Sequence, residues 1–543
     1  MRMKKLLLTV VAGLTFGLLA AKDDIPKVPI WDRIELTFDS PVAYDRPVYD
    51  VALQVTFVSP SGKQYPSDGF WDGENRWRVR FMPNEKGKWS YRTACSDVAN
   101  SGLHDRSGTF VCTKNRSSLP IYRNGKIVHR TGDYYLSYAD GTPFFYLGCT
   151  AWNGALRSTD EEWETYLQHR KQHAYTVIQF VTTQWRGLPA SELDPPAFSG
   201  EDPIRINPLF FQRLDRKIDR INRMGLVAAP VMLWAIPGDE NPGYRLPVES
   251  AVKLAAYIKA RYEAYHVIWN LGGDGNFTGS NLAKWQEIGR RVFGEGKNAV
   301  GNVVTLHPGG RRWYGNDYDG EEWLSMISYQ TGHSNSESTI RWKTQGPVVE
   351  NWARLKPRPI IDTEPVYEAQ GEPGNAYEVR KSIFWSMFSA PVAGVGYGAW
   401  STWPWLRVGE KSFNHGMKKP SQYDWKDGIE SSGSIQVGRL HAFFDRFAWW
   451  ELRPQADLLE DNGASEHVSR TMMVVADDKV ETILVYVPTA QRVAVKNERN
   501  RRFKKASWYY PATGLYEKAE LSYTENRIET ESHSDEDAIL VLQ

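Results

Sequence analysis

One stretch indicates the fold of the central part of the chain: Val267-Ile268-Trp269-Asn270-Leu271-Gly272-Gly273-Asp274-Gly275-Asn276. Its first half is a short apolar run, and its second half sets glycines on both sides of one carboxylate. An apolar run this short that ends in glycines predicts a buried β-strand rather than a helix. Glycines at a strand's carboxyl end let the backbone turn sharply and leave room for a ligand. We therefore expect Asp274 at the carboxyl end of a buried strand.

A second run of the same design, Pro359-Ile360-Ile361-Asp362-Thr363-Glu364-Pro365, follows about ninety residues later. It delivers Glu364 at the end of a buried-type strand, and Pro365 stops the strand because proline cannot donate to a ladder. Two carboxyl groups, each at the mouth of a separate strand, are what acid and nucleophile chemistry on a sugar requires.

Length and composition limit the classes to which the protein can belong. A chain of 543 residues predicts two to four domains. The formal net charge of +1 gives no electrostatic reason to expect a nucleic acid or an anionic membrane as partner. The 22 Trp and 27 Tyr suit the apolar faces of sugars, although β-sandwich cores also use many aromatic residues. Composition therefore slightly favours a carbohydrate partner.

The first 21 residues are typical of a signal peptide. Arg2, Lys4 and Lys5 precede an apolar run, and Ala20-Ala21 provides the small residues of a cleavage site. No cysteine follows to carry a lipid, and no later stretch is apolar enough to span a membrane. We expect a soluble protein that is exported, either secreted or periplasmic.

Three cysteines leave one question open. Cys95 and Cys112 lie on neighbouring predicted strands. The sequence supports a disulfide between them only slightly more than it supports two free thiols. Cys149 lies in a predicted core strand, where it is interpreted as a small buried hydrophobic residue.

The middle of the chain alternates between strand and helix patterns. The predicted strands are Phe144–Cys149, Thr176–Val181, Leu226–Leu233, Val267–Leu271, Val303–Leu306, Met326–Tyr329, Pro359–Asp362 and Val392–Tyr397. The predicted helices are Asp160–His173, Pro208–Met224, Val248–Tyr265, Asn281–Phe293, Ser338–Leu355 and Ala376–Ser389. The weakest connection is Trp313–Glu322, which has only a short helical signal. Eight strands with helices between them predict a (β/α)8 TIM barrel, whose reactive groups collect at the carboxyl ends of the strands.

The flanks of the barrel have only short strand patterns. In the N-terminal part these are Arg33–Phe38, Val51–Val58, Arg76–Phe81 and Trp89–Thr93, and in the C-terminal part Met472–Ala476, Glu481–Val487 and Ala538–Gln543. Short strands separated by turn residues are typical of β-sandwiches. The predicted domains are a sandwich over 22–118, the barrel over 119–453 and a small sandwich over 454–543. The basic run Lys496–Lys505 is interpreted as a solvated turn.

Several segments resemble known glycosidase families. Phe70-Trp71-Asp72-Gly73 and the strands after it resemble a sandwich domain found ahead of bacterial glycosidase barrels, and Ala506–Gly514 resembles a collagen-binding-like C-terminal domain. Gly148-Cys149-Thr150-Ala151-Trp152, the Asp274 stretch and Asp362-Thr363-Glu364-Pro365-Val366-Tyr367-Glu368 resemble the apiosidase-like glycoside hydrolases. This resemblance implies a retaining mechanism with Asp274 as general acid/base and Glu364 as nucleophile. An Asp stands where most of the wider clan has Glu.

Each carboxylate also has a simpler interpretation. Asp274 could be a turn-forming residue in a glycine-rich loop, and Glu364 could form an ion pair at the barrel rim. Carboxyl groups about 5–5.5 Å apart would indicate a retaining enzyme, and about 6.5–9.5 Å an inverting one. Asp362 lies two residues deeper and is interpreted as a buried support. Glu368 and Glu372 could bind substrate or lie on a solvated loop.

Other polar and aromatic residues follow the predicted strands and form the predicted sugar-binding set, because sugar sites combine hydrogen-bonding groups with a stacking face. The set comprises Trp152, Asn153, Gln184, Trp185, Trp234, His307, Gln330, His333, Trp400 and Trp403. A Trp of this set could instead pack under a loop, and a His could be a satisfied core group. No metal-ligand spacing and no cofactor motif are found, so neither a metal nor a cofactor is expected.

The leading hypothesis is a secreted glycosidase that acts on a plant or pectic polysaccharide, and the resemblance suggests release of apiose-containing units. Two alternatives stay open: a cellulase-like or mannanase-like endo-glycanase, and a carbohydrate-binding or adhesion protein without activity. Fold alone does not fix the sugar, the linkage, or exo versus endo action. The oligomeric state also stays open.

Overall fold

The computed structural model describes residues 25–294, 301–368, 376–413 and 419–543. The predicted signal peptide and Glu372 therefore lie outside the described residues. Among the residues described, none of the helices has both the length and the apolar character to cross a membrane.

The eight predicted strands of the central region are all present and overlap their predicted ranges. They are β1 (Tyr146–Thr150), β2 (Val177–Val181), β3 (Val227–Trp234), β4 (Ile268–Gly275), β5 (Val303–Pro308), β6 (Ile327–Gln330), β7 (Ile360–Glu364) and β8 (Gly394–Tyr397). Nearly every residue in them is buried, which explains their continuous apolar pattern.

The strands pair in parallel and in the order of the chain. One sheet has the order β5-β4-β3-β2-β1-β8, and β6 pairs with β7. β6 also packs beside β5, and β7 packs beside β8. A parallel sheet in which the eighth strand pairs with the first fits a (β/α)8 barrel.

Helices connect most of these strands. They are α1 (Asp160–Gln172), α2 (Pro208–Arg223), α3 (Val248–Tyr262), α4 (Leu282–Phe293), α5 (Glu337–Gln345), α6 (Pro347–Asn351), α7 (Ala376–Met387), α8 (Trp425–Glu430) and α9 (Ser432–Phe444). The predicted helix Ser338–Leu355 is thus two helices, because Gly346-Pro347 interrupts it and Pro347 has no N–H for a continuing hydrogen bond. The weak connector between β5 and β6 contains only the 3-10 turn Gly315–Tyr318.

The N-terminal region forms two facing antiparallel sheets. One sheet contains Gln64–Asp68, Leu53–Val58, Gly87–Cys95 and Ser107–Thr113, with Lys27–Pro29 added in parallel. The other contains Ile34–Asp39, Arg76–Phe81 and Phe70–Trp71. Trp89 and the stacked rings of Phe57 and Phe81, 4.1 Å apart, lie between the sheets. Two such sheets fit the β domain expected in this part of the chain.

All three cysteines are free and buried. Cys112 pairs with Gly87, at the opposite end of the strand that Cys95 closes. Eight residues of strand separate the two positions by about 26 Å, so no disulfide joins Cys95 and Cys112.

The C-terminal region is again a pair of sheets. The larger has six strands, Arg453–Pro454, Met473–Ala476, Ile483–Val487, Ala538–Leu542, Ala506–Tyr510 and Leu515–Lys518. The smaller has three, Gln491–Lys496, Arg527–Ser532 and Ser522–Thr524. The basic run connects two of these strands. Arg380 of α7 pairs with the buried Asp537 at 2.6 Å, so the domain packs firmly on the central region.

Candidate active site

Asp274 lies near the carboxyl end of β4, where the strand is irregular. The pairing of β4 with β5 shifts register between Asn270 and Gly273 and again before Gly275. Asp274 itself has a φ of +50°. Few side chains tolerate this left-handed conformation, but aspartate does so more readily than most. A bulge with this backbone conformation re-aims the side chain that it carries.

Two donors hold the Asp274 carboxyl group. Arg186 Nη2 lies 2.9 Å from Oδ2, and Gln330 Nε2 donates to Oδ1 at 3.0 Å. Gln330 Nε2 also donates to the carbonyl of Pro308 at 2.8 Å, which fixes the amide. Burial raises the pKa of Asp274 to about 6, while the positive charge of Arg186 opposes the rise and the negative charge of Glu364 adds to it.

Glu364 ends β7 and meets two histidines. His307 Nε2 lies 2.6 Å from Oε2, and His333 Nε2 lies 3.4 Å from Oε1. Burial alone would raise the pKa of Glu364, but the hydrogen bonds from His307 and His333 outweigh burial and lower it. His307 is in turn held by the hydroxyl of Thr363, 3.0 Å from Nδ1.

The two carboxyl groups share one site. In the β6–β7 ladder Gln330 is the neighbour of Glu364, and its amide reaches across to Asp274. In the β4–β5 ladder Gly273 is the neighbour of His307, which bonds Glu364. The groups that hold one carboxyl group thus lie beside the other.

The two environments shift the pKa values of the carboxyl groups in opposite directions. A pKa of about 6 lets Asp274 keep its proton up to mildly acidic pH, where the lowered pKa of Glu364 keeps that carboxylate ionised. A proton donor and an ionised carboxylate within one site are the pair that a glycosidase uses.

The predicted tryptophans form a connected wall beside this pair. Trp152 lies edge-on to Trp234 with centroids 5.4 Å apart, and Trp234 lies 4.3 Å from Trp185. Trp185 continues to Trp403 at 6.1 Å, and Trp403 to Trp400 at 5.6 Å. All five are at most 9% exposed. Because they are buried, these rings line the site and leave little exposed surface on which a sugar could stack.

Asn153 and Gln184 have protein partners for both ends of their amides. Asn153 donates to the carbonyl of Gly187 at 3.0 Å and accepts from Trp185 Nε1 at 2.7 Å. Gln184 donates to the carbonyl of Phe198 and accepts from the N–H of Ala197. The structure does not bring these amides to the carboxyl groups; they hold loops.

Arg186 and Tyr367 lie at the two carboxyl groups, and the sequence analysis did not include them among the site residues. Arg186 directly follows the predicted Trp185, and Tyr367 stands within the motif of Glu364. The Tyr367 hydroxyl accepts from Trp152 Nε1 at 2.9 Å and is within reach of Glu364, and its ring stacks on His333 at 4.1 Å. The only available signal was their closeness in sequence to predicted site residues.

Two other acids have supporting places. Asp362 accepts from the hydroxyls of Thr331 and Ser386 and from the N–H of Glu364, so it is the buried support that its strand position predicted. Glu368 is buried and accepts the N–H groups that open α9, so it does not lie on a solvated face. Among the described residues no group of His, Cys, Asp and Glu could hold a metal ion.

Comparisons with known proteins agree with this site. Residues 130–451 match the family model of the apiosidase-like catalytic domain, 27–96 match a domain family of unknown function (DUF5060), and 454–543 match a collagen-binding-like domain of a collagenase. No curated protein matches the chain.

Solved structures show the same fold. A glycoside hydrolase is 23% identical with a TM-score of 0.66 and covers 79% of this chain and 98% of its own. A glycoside hydrolase family 5 protein from Bacteroides vulgatus is 21% identical with a TM-score of 0.67, over 79% of this chain and 95% of its own. A candidate glycoside hydrolase from the same organism is 17% identical with a TM-score of 0.67, over 95% and 99%.

The parallel barrel strands, the carboxyl pair at their ends and the family match define the class of protein as a glycoside hydrolase. Because the matched segment, 130–451, spans more than half of the chain, the chain belongs to the apiosidase-like family.

Proposed function

We propose that the protein is an exported, retaining glycosidase in which Asp274 is the general acid/base and Glu364 the nucleophile. The observation that carries this proposal is that two carboxyl groups of one site have pKa values shifted in opposite directions. In the first step Asp274 gives its proton to the leaving oxygen while Glu364 bonds to the anomeric carbon. In the second, Asp274 takes a proton from the water that attacks that carbon, and the bond between the carbon and Glu364 breaks to release the carboxylate.

We further propose that the eight strands form a closed (β/α)8 barrel over 119–453, between sandwiches over 22–118 and 454–543. The first 21 residues are proposed to be a cleaved signal peptide. Sequencing the N-terminus of the exported protein tests the last point. A mature chain that starts close to Lys22 supports export, and an intact Met1 in the cell contradicts it.

The proposed substrate is a plant or pectic polysaccharide or its oligosaccharides, with apiose-containing units as the first group to test. Family membership supports this choice. The test is a panel of pectic and hemicellulosic oligosaccharides that includes apiose-bearing fragments. Turnover of β-glucan or β-mannan instead would favour the endo-glycanase alternative, and binding without turnover would favour the carbohydrate-binding protein.

Two substitutions test the catalytic roles. Asp274→Asn and Glu364→Gln remove the transferable proton and the nucleophile with little change in shape, so each should lower kcat on an unactivated substrate by about 10²–10⁴-fold or more. Asp317→Asn, at an exposed acid on the loop after β5, is the matched control and should keep wild-type activity. Circular dichroism and sugar binding should be unchanged in all three.

The stereochemical course tests the mechanism. The first product, followed by NMR at the anomeric proton, should have the configuration of the substrate. Inversion would remove the nucleophile role of Glu364, and full turnover by both variants would remove the site assignment.

A further inference from the structure

A tight turn after β2 presents Arg186 to the site. Trp185 and Leu188 exchange two backbone hydrogen bonds of 3.1 and 2.9 Å, which leaves Arg186 and Gly187 at the tip. A Cβ on Gly187 would lie 2.5 Å from the Trp185 ring, so only glycine fits there. The turn is therefore shaped by close packing, and Arg186 is the charged residue that it carries.

Two buried asparagines from other loops anchor this turn. The N–H of Arg186 donates to Asn241 Oδ1 at 2.8 Å, from the loop after β3. The carbonyl of Gly187 accepts from Asn153, from the loop after β1. Both asparagines are at most 1% exposed. The backbone at Arg186 is thus fixed on both sides by contacts that do not involve its side chain.

The Arg186 side chain points from this fixed turn to Asp274, with Nη2 2.9 Å from Oδ2 and the side chain 20% exposed. Four charged or titratable groups act on Asp274 from the elements around it: Arg186 after β2, His307 of β5, His333 after β6 and Glu364 of β7. Arg186 is the first of them in strength, and its guanidinium is cationic at any working pH.

We propose that Arg186 is a positioning residue for acid–base catalysis: it aims the Asp274 carboxyl group and holds its charged form during turnover. This inference rests on the proposed function. A guanidinium can donate hydrogen bonds but cannot accept a proton, so it stabilises the carboxylate without competing for the proton. Gln330 acts on the other oxygen in the same way through its N–H.

The proton cycle of the proposed reaction explains why such a residue is needed. Asp274 starts protonated, is a carboxylate after the leaving group departs, and regains a proton from the attacking water. Burial favours the protonated form, and Arg186 favours the ionised form. Their balance lets one carboxyl group serve in both steps near neutral pH.

The test is the pH dependence of kcat/KM for Arg186→Gln and Arg186→Lys on the substrate that the panel identifies. In the wild type the alkaline limb should lie near pH 6, because Asp274 must be protonated in the free enzyme. Removing the positive charge raises the pKa of Asp274, so Arg186→Gln should move this limb up by about one pH unit or more. Arg186→Lys keeps a cation and should keep the limb close to that of the wild type.

Matched variants separate this role from others. Arg311→Gln removes an exposed guanidinium from the loop after β5 and should leave the limb in place. In an Asp274→Asn background, Arg186→Gln should cause no further loss of kcat on an activated aryl glycoside, since its target is already gone. Melting temperatures of all variants report whether the turn stays folded.

The inference is overturned if the folded Arg186→Gln variant keeps the alkaline limb of kcat/KM at the wild-type pH while its KM rises. Arg186 would then be a substrate-binding residue. A further loss in the double variant would also overturn the inference. Either result leaves the catalytic pair intact, because that pair is tested by the loss of activity in Asp274→Asn and Glu364→Gln alone.

Discussion

At the scale of the residue, backbone conformation explains why an aspartate suits position 274. Asp274 has a φ of +50°, a region that Asn, Asp and Gly enter far more easily than Glu. Asp274 lies within the register shift of β4, and a bulge of this kind re-aims the side chain that it carries. The departure from the glutamate of the wider clan therefore follows from local geometry.

Replacing Asp274 by Glu should therefore fail in two ways. The longer side chain must adopt the left-handed backbone and displace the contacts to Arg186 and Gln330. We expect kcat/KM to fall by about 100-fold, as a displaced catalytic group does, and the free energy of unfolding to fall by about 1 kcal/mol. Asp274→Asn is the control, because it loses activity but keeps the conformation and the stability. Equal urea midpoints for the two variants would contradict the role of φ.

At the scale of the element, the segment after β7 is fixed by a helix. Glu368 accepts from the N–H groups of Gly433 and Ser434 at 2.8 and 3.0 Å, at the start of α9. It also accepts from the hydroxyls of Tyr397 and Ser431. A carboxylate suits this place because the helix N-terminus carries partial positive charge and unpaired donors. The preceding residue, Tyr367, is thereby held against Glu364.

Glu368→Gln should loosen both the helix and the site. An amide has one acceptor oxygen and brings an N–H₂ toward existing donors, so the free energy of unfolding should fall by about 2 kcal/mol. Because Tyr367 lies next to Glu368, kcat should fall as well. Glu337→Gln, at an exposed acid in the first turn of α5, is the control, with an expected change within about 0.5 kcal/mol. A Glu368→Gln protein with unchanged melting and turnover would show that the anchor has no effect.

At the scale of the whole molecule, a buried ionic cluster joins the N-terminal sandwich to the central region. Arg261 of α3 is fully buried and pairs with Asp72 of the sandwich at 2.8 Å and with Asp215 of α2 at 2.7 Å. Arg80 of the sandwich reaches the same Asp215 at 2.6 Å. Each carboxylate has a guanidinium partner, so largely buried ion pairs couple the two domains.

Arg261→Gln should separate this coupling from ordinary surface charge effects. It leaves Asp72 and Asp215 buried with a partner missing, which typically costs about 3–5 kcal/mol. The urea midpoint of the first unfolding transition should fall accordingly. Arg46→Gln, which breaks an exposed pair with Asp50, should change stability by at most about 1 kcal/mol. Similar midpoints for the two variants would mean that the cluster does not couple the domains.

The amino-acid sequence by itself determined the alternation of strands and helices and the two strand ends that carry Asp274 and Glu364. These features are local, because apolar runs, glycines and prolines act on their own neighbours. Folding a parallel sheet then brings the strand ends together by topology alone. The helix prediction was wrong at Gly346-Pro347, where proline interrupts the pattern, and it did not include α8 and α9 after the last strand.

The tertiary structure alone decided what surrounds the two carboxyl groups. Arg186 meets Asp274 across 88 positions of the chain, and Trp152 meets Tyr367 across 215. Such contacts depend on loop geometry, which periodicity does not encode. The same holds for Asn153 and Gln184, whose side chains were expected to bind sugar but are engaged by loops. Opposite proton affinities come from burial and from these distant partners, and both exist only once the chain has folded.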